Sequence, residues 1–211
     1  MIEIIYSDPQ IVVCQKPVGA DSEKDMPSLL SEQLNCEIFC VHRLDKAVGG
    51  LMVFAKTKQA ASDLSLQIQN KTLVKEYFCV VSGVPEKTED TLTDLLYKDA
   101  RLGKTFVVDR QRKGVKDASL DYKLISSVNV DGSLISLIRV HLNTGRTHQI
   151  RVQFSSRKLS LLGDRRYGGD KSSKNIALFS CYLKFSHPKT KKVIDFSLFP
   201  QSEFPWNQFI F

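Results

Sequence analysis

The most restrictive feature of the sequence is how little chain separates its apolar runs. "IEIIY" and "IVVCQK" are parted only by "SDPQ", "ASLDYKLISSV" and "SLISLIRVHL" only by "NVDG", and "ALFSCYLKF" and "VIDFSLF" only by "SHPKTKK". Connections that short join antiparallel neighbours, because a parallel pair needs a crossover of a dozen or more residues. Residues 2–16 therefore read as a hairpin, and the "NVDG" pair as another. "GLMVFAK" and "KEYFCVVSGV" add two more strands, the second ending at Gly83-Val84-Pro85. Helical signals are fewer. "PSLLSEQL" is predicted to be a short helix with Pro27 at its start. "KQAASDLSLQIQN" is predicted to be another, capped by Thr57 and presenting Ala61, Leu64 and Ile68 on one face. This order predicts an α+β fold, a mostly antiparallel mixed sheet flanked by a few helices, rather than a doubly wound one. Internal repeats, low-complexity segments and linkers are absent from the sequence.

The 211 residues, 42% of them hydrophobic, are enough for one large domain, or one with a small lobe. Thirty Lys and Arg against 23 Asp and Glu leave a formal charge of +7, compatible with a polyanionic partner. The positive charge is concentrated. Residues 98–116 hold seven cations and two acids, and residues 139–166 hold seven cations and one acid, Asp164. One such cluster reads as a solvated hairpin or loop; two on one chain favour an anionic partner. Five cysteines, an odd number with no CxxC, argue against a zinc quartet or a disulfide framework. Reduced thiols and a cytoplasmic protein are expected. The N-terminus lacks the pattern of a signal peptide, and no uncharged run approaches the ~20 residues that span a bilayer.

Three stretches carry residues suited to chemistry. In "VHRLDKAVGGLMVFAKT", residues 41–57, Asp45 lies between Arg43 and Lys46 at the mouth of an apolar strand. In "LNTGRTHQIRVQF", residues 142–154, Gly145 ends a strand and Thr147 is positioned to cap a helix whose Ile150 and Phe154 form one edge. His148 and Arg151 would then share a neighbouring face at i, i+3. Arg146 would stand at the helix N-terminus, where a cation opposes the dipole unless an outside anion meets it. Tyr77 stands on the "KEYFCVVSG" strand, a position that most often means a packed tyrosine with a satisfied hydroxyl. A kinase loop is excluded: the acid does not directly follow the arginine, position 50 is Gly50, and no Gly-rich phosphate loop exists. His42, His141 and His148 lack the spacing of metal ligands. What remains is one carboxylate among arginines on a basic chain. An arginine would keep that carboxylate ionised and aimed in a field of phosphates. An ionised, oriented carboxylate can act at a sugar or base carbon. The residues thus point to a cofactor-free enzyme acting on a nucleotide within RNA.

"IIYSDPQIVVCQKPVG", "HRLDKAVGGLMVFAK", "KEYFCVVSG", "LNTGRTHQIRVQ", "LLGDRRYGG" and "FSHPKTKK" occur in the order and at about the spacing of the RluA-type pseudouridine synthases, which the chain resembles over nearly its whole length. That family detaches a uracil from its ribose, turns it and rejoins it through carbon 5. The resemblance implies a pseudouridine-synthase catalytic fold with a central RNA-binding cleft. It also implies one catalytic domain over 1–211, with no S4-type RNA-binding module expected ahead of it. It further implies tRNA or rRNA as partner, no cofactor, no metal, no membrane, and a monomer. Asp45 matches the essential aspartate; attack on the ribose, attack on the base and assisted elimination all stay open. Tyr77 matches the tyrosine that packs on the target base and is placed to take the carbon-5 proton. Arg151 matches the arginine paired with the aspartate, and Arg43 the one that fills the gap left by the flipped uridine. His42, Arg146, His148 and Gln149 match RNA-contacting or supporting positions. The rival reading is a non-catalytic RNA-binding or RNA-chaperone protein of the same fold, which would have no use for an acid beside phosphates. The chain departs from the family at Val48-Gly49, where Thr-Ser is usual. It also departs at "LFSCYL", where a histidine is common, and in the short acidic loop "ADSEKDMPS".

Overall fold

The "NVDG" hairpin shows how local sequence is converted into architecture. In the computed structural model, which describes residues 1–169 and 172–211, Asp131 and Gly132 turn at φ +48° and +82°. Both lie in the left-handed region that a two-residue hairpin turn requires. Val130 therefore pairs with Ser133, and the register runs to Leu120 opposite Leu142, interrupted by one bulge between Leu124 and Ser126.

The chain folds into two compact units, one of residues 1–76 and 179–200, the other of residues 77–178 and 201–211. The first unit is built on β1 (Glu3–Ser7), β2 (Ile11–Lys16), β3 (Phe39–Cys40) and β4 (Gly49–Ala55). Its helices are α1 (Asp25–Leu34) and α2 (Lys58–Gln69). The β1–β2 hairpin forms as the sequence predicts, and β2 continues antiparallel onto β4, with Cys14 opposite Met52. All seven residues of β4 are buried. That explains why "GGLMVFA" is continuously apolar instead of alternating. Ala60 and Leu64 of α2 pack on Ile11, Val13, Leu51 and Val53, while Ala61 and Ile68 flank that cluster partly buried. Thr57 caps α2 by accepting the Ala60 N–H. Helix α1 begins two residues before Pro27, which falls in its first turn, where its missing N–H costs nothing.

The chain returns to this unit through β10 (Leu178–Ser186) and β11 (Val193–Ser197), an antiparallel pair. Strand β10 pairs with the start of β4 in parallel, Ser180 beside Gly50. Gly50 is forced by that contact: its φ is +116°, and an added Cβ would stand 2.3 Å from the Ser180 carbonyl oxygen.

The second unit contains β5 (Val74–Ser82) from Tyr77 onward, β6 (Glu89–Asp99), β7 (Lys104–Val108), β8 (Val115–Val130), β9 (Ser133–Leu142) and α3 (Gln149–Ser155). The strand order is β5-β9-β8-β6-β7. The β6–β7 hairpin, with Asp99 opposite Lys104, settles the basic 98–116 segment as a hairpin plus an exposed loop. Val152 of α3 packs with Leu96, Ala118 and Tyr167. The architecture is α+β, with a mixed sheet and three α-helices among the described residues. None of those helices is long and apolar enough to cross a membrane.

Candidate active site

In the first unit, the loop carrying Asp45 is fastened on both sides of that residue. Before it, the Ser22 hydroxyl donates to the Leu44 carbonyl (2.8 Å) and accepts the Leu44 N–H (3.1 Å). After it, the Lys46 carbonyl accepts from the Gly19 N–H (2.8 Å) and the Lys16 ammonium (3.4 Å). Val48 N–H closes the turn on the Asp45 carbonyl at 2.9 Å. Asp45 is half-buried.

Lys16 is the least expected member of this loop. Its side chain is fully buried, and its ammonium also donates to the carbonyls of Pro17 (2.9 Å) and Ala20 (2.8 Å). Burial pulls its pKa down to about 8, opposed by the nearby carboxylates of Asp45, Asp21 and Asp25. A buried ammonium normally needs a compensating partner. Here backbone carbonyls supply hydrogen bonds and those carboxylates supply charge.

His42 is buried inside the loop, and its Nε2 accepts the Val53 N–H at 3.2 Å. Desolvation, helped by Lys75, lowers its pKa to about 3, so the ring is neutral. Of the two roles implied for it, this placement fits support of the loop and not contact with RNA. Arg43 is exposed and pairs with Glu23 at 2.8 Å, a residue of the short acidic loop. Val48 is buried, and a Cβ at Gly49 would meet the Lys16 carbonyl and a Val18 methyl at 3.3 Å. The Val48-Gly49 departure thus lies where this loop packs against the end of β2.

In the second unit, Tyr77 is buried on β5 and Arg151 on α3. The Arg151 guanidinium forms a two-pronged pair with Asp164, from Nε at 2.7 Å and from a terminal nitrogen at 2.9 Å. The two side chains are only 6% and 1% exposed. A fork so held has its plane fixed. Tyr167 lies beneath it, with its ring centre 5.1 Å from the guanidinium carbon. The Tyr167 hydroxyl accepts the Thr105 N–H at 2.8 Å and meets Nδ1 of His148 at 2.9 Å. The glycines of "LLGDRRYGG" shape this loop. An added Cβ would stand 2.2 Å from the Asn175 carbonyl at Gly163 and 2.1 Å from the Leu161 carbonyl at Gly169.

Thr147 does not cap α3. The cap position belongs to His148, whose φ of +54° is left-handed and whose side chain makes no capping bond. The helix begins at Gln149, so His148 and Arg151 do not share a helical face; both reach Tyr167 instead. Gln149 is buried and ties its loop together. Its carbonyl oxygen accepts the Thr144 hydroxyl (2.8 Å) and the Arg146 N–H (3.0 Å), and its amide donates to Ser119 (3.0 Å). Arg146 directs its Nε to the Asp117 carbonyl at 2.8 Å.

The structure thus gathers His42, Arg43 and Asp45 in the first unit, and Arg146, His148, Gln149 and Arg151 in the second. Sequence reasoning missed Lys16, Asp164 and Tyr167. A signal existed for two of them: Lys16 ends an otherwise apolar run, and Asp164 is the one acid among the cations of 139–166. Among the described residues, no group of three or more His, Cys, Asp or Glu side chains is placed to hold a metal ion.

Comparison with known proteins gives the family and the fold. Residues 4–156 match the family model described as RNA pseudouridylate synthase. Ribosomal large subunit pseudouridine synthase D of Zymomonas mobilis subsp. mobilis is 29% identical over 221 residues, covering 92% of this chain and 68% of that protein. tRNA pseudouridine synthase C of Vibrio vulnificus is 26% identical over 219 residues, covering 92% of this chain and 89% of that protein. The solved structure of human RNA Pseudouridylate Synthase Domain Containing 1 has the same fold. It superposes with a TM-score of 0.84 at 20% identity, covering 97% of this chain and 85% of that one. The chain belongs to the RNA pseudouridylate synthase family, in its RluA-type branch.

Proposed function

We propose that this isomerase converts a specific uridine of tRNA or rRNA to pseudouridine with Asp45 as its essential carboxylate and without a cofactor. The observation that carries the proposal is the double fastening of the Asp45 loop, by Ser22 on one side and by Gly19 and Lys16 on the other. A loop that only turned the chain would not need a buried ammonium to hold it. The relatives named for ribosomal and transfer RNA support the substrate class, and leave both RNAs open.

In this reading the N-glycosidic bond of the uridine breaks, the base turns, and a bond forms from the ribose to carbon 5. The carbon-5 proton is lost and nitrogen 1 gains one, so the overall change is an isomerisation. Tyr77 packs on the base and takes the carbon-5 proton. Arg151, its fork fixed by Asp164, supplies an oriented cation to the reaction. Arg43 fills the space left by the flipped nucleotide, after exchanging its exposed partner Glu23 for RNA, a pair weak enough to be surrendered. His42 and Gln149 hold their loops, while Arg146 and His148 are assigned to RNA contacts or to support of those contacts.

The test is Asp45→Asn. The variant is expected to bind RNA as the wild type does and to form no pseudouridine, measured by base-resolved mapping of modified RNA. Unchanged activity would overturn the role of Asp45, and a wild type that binds RNA but forms no pseudouridine would favour the RNA-chaperone alternative. The exposed cations Lys98, Arg101, Arg110, Arg112, Lys113 and Lys116 supply the RNA grip. Affinity is therefore expected to fall steeply between 50 and 200 mM salt, by about tenfold or more. Affinity indifferent to salt would show that the grip lies elsewhere.

A further inference from the structure

The loop 161–169 joins two elements that the proposed reaction needs in register: α3, which carries the Arg151 guanidinium, and the β6–β7 hairpin. Tyr167 is where they meet, and it is buried. The face of its ring meets Arg151 at 5.1 Å and the Lys104 ammonium of β7 also at 5.1 Å. Its hydroxyl holds the Thr105 N–H of β7, and its backbone carbonyl accepts the Ser155 hydroxyl at the end of α3 (2.5 Å) and the Ser160 hydroxyl (2.9 Å). Next to it, Arg166 donates to the Gly103 carbonyl in the hairpin turn at 2.5 Å.

A tyrosine placed only to fill space would not need these polar and cationic contacts on both α3 and β7. Phenylalanine would bury the same ring against Leu96, Ala118 and Val152 without the hydroxyl that holds the Thr105 N–H. Two cations over one buried ring, with Asp164 gripping one of them from the side, fix a guanidinium in both tilt and direction. We infer that Tyr167 is a positioning residue that registers the basic β6–β7 hairpin against Arg151, so that RNA held on the hairpin meets the arginine in one orientation. The inference rests on the proposed function and assigns to Tyr167 no contact with the substrate.

The test compares Tyr167→Phe, Arg151→Lys and the double variant. Tyr167→Phe keeps the ring and removes the hydroxyl. It is expected to lower kcat for pseudouridine formation about tenfold, the size expected when a reacting group is slightly misplaced. RNA affinity should change less than about twofold, since the phosphate contacts remain. In the Arg151→Lys background the same change should cost little more, because the group it positions is already gone. A full additive loss in the double variant, or an unchanged kcat in the single one, would overturn the inference. A loss of kcat that tracks a lowered melting temperature would also overturn it, showing a merely structural role.

A second measurement stands without activity. The Arg151 Nε–H, held by Asp164, should be slow to exchange in NMR of the wild type and faster in Tyr167→Leu. Equal exchange in the two would overturn the inference. If the wild type itself formed no pseudouridine in any RNA, while the exchange rates differed as expected, the functional reading would fail and the positioning would stand.

Discussion

Replacing His42 by glutamine should change how stability depends on pH, by an amount the structure sets. The His42 ring is buried, accepts the Val53 N–H and has its pKa lowered to about 3 by desolvation. Unfolded, the same ring titrates near its ordinary 6.5. Between those values the unfolded chain carries a proton that the folded one refuses, so stability falls as pH falls. The loss is about 1.4 kcal/mol per pH unit, or about 3 kcal/mol on going from 6.5 to 4.5. Glutamine can still offer an oxygen to the Val53 N–H but does not titrate. Any cost of the substitution itself is common to both pH values. Carboxylates with lowered pKa, such as Asp8 and Asp63, act alike in both proteins. Urea unfolding of wild type and His42→Gln at pH 7.5 and 4.5 isolates the effect. The wild type is expected to lose about 3 kcal/mol more than the variant over that interval. Parallel losses would refute the argument, because they would mean that the ring accepts its proton without unfolding and is not held neutral by burial.

Other outcomes can be read with the same assays. Gly50→Ala places a carbon 2.3 Å from the Ser180 carbonyl at a φ of +116°, so β10 has to move away from β4. Its cost is expected to be about 3 kcal/mol or more, and a urea midpoint within about 1 kcal/mol of wild type would disprove the close approach. Lys16→Met leaves the carbonyls of Pro17, Ala20 and Lys46 without their ammonium donor, and kcat should fall at least about tenfold with RNA affinity little changed. Because burial lowers the Lys16 pKa, the unfolded chain binds more protons between pH 8 and 10.5. The wild type should therefore gain stability relative to Lys16→Met as pH rises through that window, and a constant difference would show that the ammonium is not desolvated.

The elements defined by local pattern were legible in the sequence. Two-residue turn chemistry at Asp131-Gly132, the Thr57 cap and the apolar run into β4 each depend on neighbours a few positions away, and each forms as read. Helix α3 was misread at its start because the competing signal came from far along the chain. Thr147 is an acceptable cap, but the His148 ring is drawn to Tyr167, nineteen positions on, and the backbone takes a left-handed turn there. The β6 strand escaped notice because one side of "EDTLTDLLYKD" is solvated and its alternation is broken by charge. Of the candidate site, Asp45 and Arg146 stood out as charges in unusual places and Arg43 and Arg151 through the resemblance, whereas Lys16 looked like a strand's last polar residue.

By itself, the sequence determined the α+β class, the hairpins, the basic segments and the family, because periodicity, turn residues and ordered motifs are properties of neighbours along the chain. Only the tertiary structure decided which polar groups lose water and what replaces it. It buried Lys16 among backbone carbonyls, neutralised His42 against Val53, and joined Arg151 to Asp164 over Tyr167. Desolvation depends on everything packed around a group, and most of what surrounds these residues is distant in sequence.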